Sequence, residues 1–150
     1  MEDIRIYCEN VHSYEKVALG TTLQQLTDRL CPSGTETGGP VLAALVDNKL
    51  KALDYKIINP HNVRFIGYDH PDGRRTYIRS LCFVLQKIVH DMFPEKVLVI
   101  DYSLPSGLYC EIRQAHAMED GRPSVYFVTD AEIEQIAQAM RQIIAADRPF

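Results

Sequence analysis

Hydrophobic and polar positions alternate at the start of the chain. Ile4–Glu9 places apolar residues at every second position, which is the period of a half-buried β-strand. Asn10–Ser13 is rich in turn-forming residues, and Tyr14–Leu19 follows it as a second candidate strand. Gly20 then interrupts the pattern. The sequence therefore predicts two strands joined by a short turn.

A short amphipathic helix is predicted next. Thr21 and Gln24 have the spacing of a capping box, in which each residue satisfies a free backbone N–H of the first helical turn. The apolar face of this helix consists of Leu23, Leu26 and Leu30. It ends before Pro32, because proline cannot continue a helix. The glycine-rich stretch Ser33–Pro40 lacks the Gly-x4-Gly-Lys-Ser/Thr pattern of a phosphate-binding loop and is predicted to be a structural loop.

Three further strands complete the first half of the chain. Val41–Val46 is a continuous apolar run, as expected of a strand buried on both faces. Asp47-Asn48 predicts a tight turn into Leu50–Leu53, and Val63–Tyr68 supplies a last strand. The order strand, strand, helix, strand, strand, strand favours a β-grasp (ubiquitin-like) sheet crossed by one helix.

The second half begins with a polar, turn-rich stretch, Asp69–Arg74, where Asp72-Gly73 is the sharpest turn signal. We place a domain boundary here, with one domain at residues 1–68 and another at residues 69–150. A helix is predicted from Thr76 to Phe93, since its apolar residues recur at helical spacing. They are Leu81, Val84, Leu85, Ile88, Val89 and Met92.

The remaining elements predict a second α+β unit. Lys96–Tyr102 and Gly107–Arg113 read as strands joined by a turn at Ser103–Ser106, and Ser124–Val128 as a third strand. Thr129-Asp130-Ala131-Glu132 is another capping box and opens a final helix. The expected buried stripe of that helix is Ile133, Ile136, Ala137, Met140, Ile143 and Ile144.

Charge limits the classes of ligand. The formal net charge is −4, which does not suit a protein whose whole surface follows a phosphate backbone. It permits a local basic patch, and four cations in and before the Thr76–Phe93 helix form a candidate. They are Arg74, Arg75, Arg79 and Lys87. The alternative is an ordinary solvated helix face.

Cysteines and terminal sequence bear on the cellular compartment. The four cysteines include no Cys-x-x-Cys pair, and each lies in or beside an apolar segment. We therefore expect four reduced, structural thiols, at Cys8, Cys31, Cys82 and Cys110. The acidic N-terminus lacks the pattern of a secretory signal, and no apolar run reaches the roughly 20 residues of a membrane span. We therefore expect a cytoplasmic protein without a membrane partner.

Several motifs of the first half resemble a TGS domain. They are Gly20-Thr21-Thr22-Leu23, the Ala43–Val46 strand with its Asp47–Lys49 turn, and Leu53-Asp54-Tyr55-Lys56-Ile57. The TGS domain is a β-grasp module of threonyl-tRNA synthetases, certain GTPases and the stringent-response synthetase. The resemblance implies contact with tRNA or ribosomal RNA, or regulation of a catalytic neighbour.

The second half resembles the start of the second domain of threonyl-tRNA synthetases. The likeness covers Gly73–Ile112 and the final helix in the same order. In the synthetases a His-x-x-x-His pair on the opening helix binds zinc and lines an editing pocket. Aligning from Phe93-Pro94 places Arg79 and Phe83 at those positions. Neither side chain is a Zn²⁺ ligand, so we expect no metal site and no catalytic residue in these 150 residues.

The chain also ends before the later zinc ligands and the aminoacylation domain of that family, so we expect a piece of a longer protein. The combination resembles the N-terminal region of bacterial uridine-kinase-like nucleoside kinases. That resemblance implies a non-catalytic binding or regulatory module, contacting RNA, tRNA or its own C-terminal kinase domain. ATP and Mg²⁺ would belong to the kinase domain, and no cofactor is expected here. The candidate binding residues are Arg74, Arg75, Arg79, Phe83 and Lys87.

Two alternatives come from other functional classes. A degenerate tRNA-editing hydrolase would need a nucleophile and a base, for which a triad of Ser80, His90 and Asp101 can be considered. Ser80 lies within a predicted helix and not on a strained turn, which disfavours that set. A homo-oligomerisation module is the other alternative, because a partial second domain would expose apolar surface. The eight tyrosines could stack on RNA bases, but their strand positions favour ordinary packing.

Overall fold

The computed structural model describes residues 3–34, 37–105, 107–115 and 124–146. The chain falls into two units, Met1–Arg79 and Ser80–Phe150, and the division lies within one long helix. The described residues form three helices and two sheets, which confirms the predicted α+β class. The predicted domain boundary between residues 68 and 69 stays a prediction.

The first unit contains a five-stranded mixed sheet with a helix packed on one face. Its order is β2-β1-β5-β3-β4; β1 and β5 are parallel, and the other neighbouring pairs are antiparallel. This is the β-grasp arrangement expected from the order of elements. The elements are β1 (Asp3–Cys8), β2 (Ser13–Ala18), α1 (Leu23–Leu30), β3 (Ala43–Val46), β4 (Lys49–Lys51) and β5 (Asn62–Ile66).

The capping box of α1 lies one residue later than predicted. Thr22 is the N-cap, and its hydroxyl accepts a hydrogen bond from the Gln25 N–H while the Gln25 side chain accepts one from the Thr22 N–H. Thr21 instead donates its hydroxyl proton to the Ala18 carbonyl at 2.7 Å. The prediction at Thr21 and Gln24 was therefore wrong, because both adjacent threonines can cap and only Thr22 precedes the first helical residue, Leu23.

The core of this unit lies between α1 and the sheet. Its buried residues are Ile6, Cys8, Val17, Leu23, Leu26, Cys31, Ala44, Val46, Ile57, Val63 and Phe65. Asn10 joins the first turn to β5 across 55 positions of sequence: its amide donates to the Phe65 carbonyl at 3.0 Å and accepts from the Phe65 N–H at 2.7 Å. The predicted Asp47-Asn48 turn is confirmed, with φ angles of 48° and 62°.

The long helix α2 (Pro71–Met92) begins five positions before the predicted start at Thr76. The polar stretch Asp69–Arg74 was interpreted as a turn, but proline is favoured at the first position of a helix, where its missing N–H would be unpaired anyway. Gly73 is buried in the first turn of α2, against the backbone of Gly67. The glycine therefore allows close packing of a helix and does not mark a turn.

The second unit continues with an antiparallel sheet of order β6-β7-β8, followed by α3. The bounds are β6 (Lys96–Leu104), β7 (Gly107–Gln114), β8 (Val125–Tyr126) and α3 (Asp130–Ala145). The core is small and consists of Val84, Ile88, Val89, Ile112 and Ile136. Ser106 in the predicted turn and the predicted helix end at residues 147–150 lie outside the described residues.

The capping box of α3 is confirmed. Thr129 accepts a hydrogen bond from the Glu132 N–H, and the Glu132 carboxylate accepts one from the Thr129 N–H. The predicted buried stripe was partly wrong, because Ile133 and Ile144 are 54% and 55% exposed. Ile136 is the one buried side chain of α3, since the short strand β8 leaves little sheet for this helix to cover.

Candidate functional site

All five predicted binding residues lie on α2 and are exposed. Arg74, Arg75 and Arg79 belong to the first unit, and Phe83 and Lys87 to the second. The phenyl ring of Phe83 is 56% exposed, which is unusual for a large apolar side chain. Whether these residues bind a ligand stays a prediction.

Local contacts restrain three of the four cations. The Arg74 guanidinium lies 5.4 Å from the centre of the Tyr68 ring, within the range of a cation–π contact. Arg75 pairs with Asp72 at 3.5 Å and Lys87 pairs with Asp91 at 2.6 Å, both on the helix surface. Arg79 makes no ion pair with any residue in the described ranges.

The two residues that the sequence alignment from Phe93-Pro94 places at the synthetase histidine positions, Arg79 and Phe83, are not Zn²⁺ ligands. Arg79 and Phe83 are both exposed, and His90, on the same helix, is exposed too. Within the described parts of the chain, no three or more His, Cys, Asp or Glu side chains come together as a group that could hold a metal ion. All four cysteines are free, as expected, and Cys8 and Cys31 are buried.

An apolar cavity of about 480 Å³ lies in the second unit, and the sequence did not predict it. The α2 residues that line it are Leu85 and Val89, so none of the predicted binding residues contributes. Its other walls come from β6, β7 and the residues from Val125 to Ile136. Periodicity correctly assigned Leu85 and Val89 to the apolar face of α2, but it could not show that this face is incompletely filled.

The polar groups of this cavity do not form a hydrolytic site. The Glu111 carboxylate accepts hydrogen bonds from Arg113 and Tyr109, and these bonds lower its pKa, so it is a weak general base. Burial raises the pKa of the Cys110 thiol, which keeps it protonated and unreactive. The imagined pair of Ser80 and His90 fails on distance, because ten residues along a helix correspond to about 15 Å.

Cross-strand register reveals one cluster that the sequence did not. On the β1–β2 hairpin, Arg5 lies opposite Lys16 and Tyr7 opposite Tyr14. The tyrosines were interpreted as packing residues, yet Tyr14 is 63% exposed. The alternation of Ile4–Glu9 already placed Arg5 and Tyr7 on the polar face, but only the register brings in their partners.

Comparison with known proteins gives one consistent result. The chain is 24% identical over 138 residues to the threonine–tRNA ligase of Desulforamulus reducens, covering 92% of this chain and 20% of that protein. It is 21% identical over 140 residues to the Chlamydia felis threonine–tRNA ligase, covering 93% and 20%. The Nocardioides sp. threonine–tRNA ligase is 26% identical over 110 residues, covering 73% and 15%. No protein-family model matches the chain.

The chain thus spans about a fifth of the length of the curated relatives it matches. Among the described residues, no helix is both long and apolar enough to cross a membrane. The order of elements and these similarities agree with each other. Over nearly its whole length, the chain is similar to the N-terminal region of threonine–tRNA ligases.

Proposed function

We propose that this chain is a non-catalytic module that binds tRNA through the exposed cations of α2. The observation that carries the proposal is the exposure of Arg74, Arg75, Arg79 and Lys87 on this helix. RNA binding requires clustered cations whose charge reaches solvent. The similarity to the N-terminal region of threonine–tRNA ligases supports tRNA as the ligand class.

The charge distribution supports local binding only. Helix α2 carries four Arg or Lys and two Asp, a formal charge of +2 within a chain of −4. The ion pairs of Arg75 and Lys87 are exposed, and such pairs contribute only about 0–1 kcal/mol. An RNA phosphate can therefore replace Asp72 or Asp91 as the partner at little cost.

The chemistry of the second unit supports a role without catalysis. A degenerate editing hydrolase would need a general base or a nucleophile beside its substrate pocket. In the apolar cavity Glu111 is engaged by Arg113, and the Cys110 thiol stays protonated. We expect no deacylation of Ser- or Thr-charged tRNA by the purified chain. Deacylation above the uncatalysed rate would revive the hydrolase alternative.

A pair of charge-matched variants tests the tRNA proposal. Arg79→Glu with Lys87→Glu reverses two α2 cations, whereas Lys49→Glu with Arg141→Glu reverses two exposed cations elsewhere. Labelled tRNA is titrated with each variant. The first variant should no longer bind the tRNA, and the second should bind it with the affinity of the native chain. Equal affinities of the two variants would remove α2 as the contact surface.

As the parent protein of this module we propose a uridine-kinase-like nucleoside kinase of the cytoplasm. The first part of the module would then be a TGS domain. This assignment rests on the resemblance described above, in which Arg79 and Phe83 align with the synthetase histidines. ATP and Mg²⁺ would then act in a kinase domain, with which this module would also interact. The gene tests it: a Gly-x4-Gly-Lys-Ser/Thr motif downstream in the reading frame supports the kinase, and an aminoacylation domain refutes it.

Homo-oligomerisation is the second candidate function. Exposed large apolar side chains are frequent in the second unit, and Phe127 is 87% exposed. Exposed apolar side chains favour association when they lie together in a patch. Sedimentation equilibrium decides: a stable dimer that does not bind tRNA would favour this candidate, and a monomer would exclude it.

A further inference from the structure

The outer face of the β1–β2 hairpin carries two cations and two aromatic rings in facing pairs. The antiparallel register sets Arg5 opposite Lys16 and Tyr7 opposite Tyr14. Directly opposed residues share a face of the sheet, with Cβ atoms about 4.5–5.5 Å apart. The other face of the same hairpin carries Ile6, which is buried in the core with α1. The four side chains therefore form one cluster on the face away from α1, which we call the hairpin cluster.

Two like charges face each other in the hairpin cluster, since Arg5 lies opposite Lys16. Like charges placed directly opposite each other destabilise a sheet. Neither Arg5 nor Lys16 forms a side-chain ion pair with any residue in the described ranges. The carboxylates of β1 and its end, Asp3 and Glu9, flank the cluster at its two ends. Glu15 projects to the other face and pairs there with Arg29 at 3.7 Å.

The aromatic rings give the cluster a stacking surface. The ring centres of Tyr7 and Tyr14 lie 5.0 Å apart at an interplanar angle of 56°. The Arg5 guanidinium lies 4.2 Å from the centre of the Tyr14 ring, while both side chains remain exposed. A guanidinium held over a ring is oriented, and it can donate hydrogen bonds to a phosphate or stack on a base.

We propose that the hairpin cluster binds single-stranded RNA, with Arg5 and Lys16 each contacting a phosphate and Tyr14 stacking on an unpaired base. Positive charge combined with exposed aromatic rings is the combination that single strands require. A duplex keeps its bases stacked inside, so it cannot use the rings. That the strand is RNA rests on the function proposed above, whereas the single-strand preference rests on this cluster alone.

The second unit carries another pair of tyrosines, and the charge around that pair makes it a poorer RNA-binding site than the hairpin cluster. Tyr102 and Tyr109 on the β6–β7 hairpin are stacked, with ring centres 4.9 Å apart and an interplanar angle of 13°. Tyr109, however, donates a hydrogen bond to the Glu111 carboxylate at 2.9 Å, and Asp101 adjoins Tyr102 in β6. The negative charge beside these rings repels a phosphate backbone, so the hairpin cluster is the favoured site.

The experiment measures binding of a labelled twelve-residue uridine RNA to the full chain by fluorescence anisotropy at several salt concentrations. Arg5→Gln with Lys16→Gln removes both cations. Lys49→Gln with Lys56→Gln removes two other exposed cations of the first unit and is the matched control. Each phosphate contact on a single strand contributes about 0.7 to the slope of log affinity against log salt. The first variant should therefore lower that slope by up to roughly 1.4, and the control should leave it unchanged.

Tyr14→Ala provides the second readout, since it removes the ring and keeps the charge. Loss of one stacked base should weaken binding roughly 5- to 150-fold while leaving the salt slope unchanged. Far-UV circular dichroism checks that each variant is folded. Unchanged affinity and slope in the Arg5/Lys16 variant would overturn the proposal, and so would an equal effect in the control.

Parallel titrations with tRNA distinguish this proposal from the α2 proposal. If the uridine RNA does not bind but tRNA binds and the α2 variant loses it, the hairpin proposal fails and the tRNA function stands. If the hairpin variants weaken binding to the uridine RNA and the α2 variant leaves tRNA binding unchanged, the hairpin proposal is supported and the α2 proposal fails.

Discussion

Replacing Gly73 by alanine sets two physical effects of opposite sign against each other. Glycine within a helix is about 0.8–1.0 kcal/mol less favourable than alanine, so helix propensity alone predicts that the replacement stabilises the protein. The structure predicts the reverse. A Cβ atom at position 73 would overlap the carbonyl oxygen of Gly67, which is backbone and cannot rotate away. Overpacking of this kind costs about 1–3 kcal/mol, so we expect net destabilisation of about 1 kcal/mol.

The assay must report on the first unit. The chain has no tryptophan, so urea unfolding is best followed by circular dichroism, with hydrogen exchange of the Val63 and Phe65 amides in β5 as the local probe. Gly107→Ala is the matched control, because nothing lies within 4 Å of a Cβ built at that position. Its unfolding midpoint should change little. A Gly73→Ala protein that is more stable than the native chain would refute the close approach of α2 to Gly67.

Three further predictions concern side chains that hold elements in place by hydrogen bonds. Asn10→Ala removes both hydrogen bonds to the Phe65 backbone and should destabilise the first unit by about 2–4 kcal/mol; Asn10→Asp, which keeps the acceptor, should lose less protection of the Phe65 amide from exchange. Thr129→Ala removes the N-cap of α3 and should cost about 1 kcal/mol in urea unfolding, which Thr129→Ser should restore. The pKa of Glu132 is lowered by the hydrogen bond from Tyr126 and those from Thr129, so its contribution to stability is present above pH 4.5 and is lost as the pH falls through the lowered pKa. Acid titration of Glu132→Gln should therefore show a weaker loss of stability than the native chain.

The fold was largely predictable because its elements have clear periods. The alternation of Ile4–Glu9 and the apolar run Val41–Val46 correctly gave strands of the first sheet. The start of α2 was missed, since composition marks Asp72-Gly73 as a turn although Pro71 suits a first helical position. The buried role of Gly73 depends on Gly67, and only the folded chain brings the two together.

Of the two candidate RNA-binding surfaces, one could be found from the sequence and the other could not. The cations of α2 were found because neighbours on one helix are fixed by sequence spacing. The hairpin cluster was missed because its two pairs, Arg5 with Lys16 and Tyr7 with Tyr14, depend on strand register. The exposure of Ile133 was also unpredictable, since it depends on how much sheet is available for α3 to cover.

The central claim is that this chain binds RNA and performs no chemistry of its own. The most direct measurement is a titration of labelled tRNA with the purified chain between about 50 and 200 mM salt, the range over which phosphate contacts lose most of their strength. The account predicts saturable binding that weakens steeply as salt increases. Absence of binding at the lowest salt concentration, or an affinity that does not depend on salt, would contradict it.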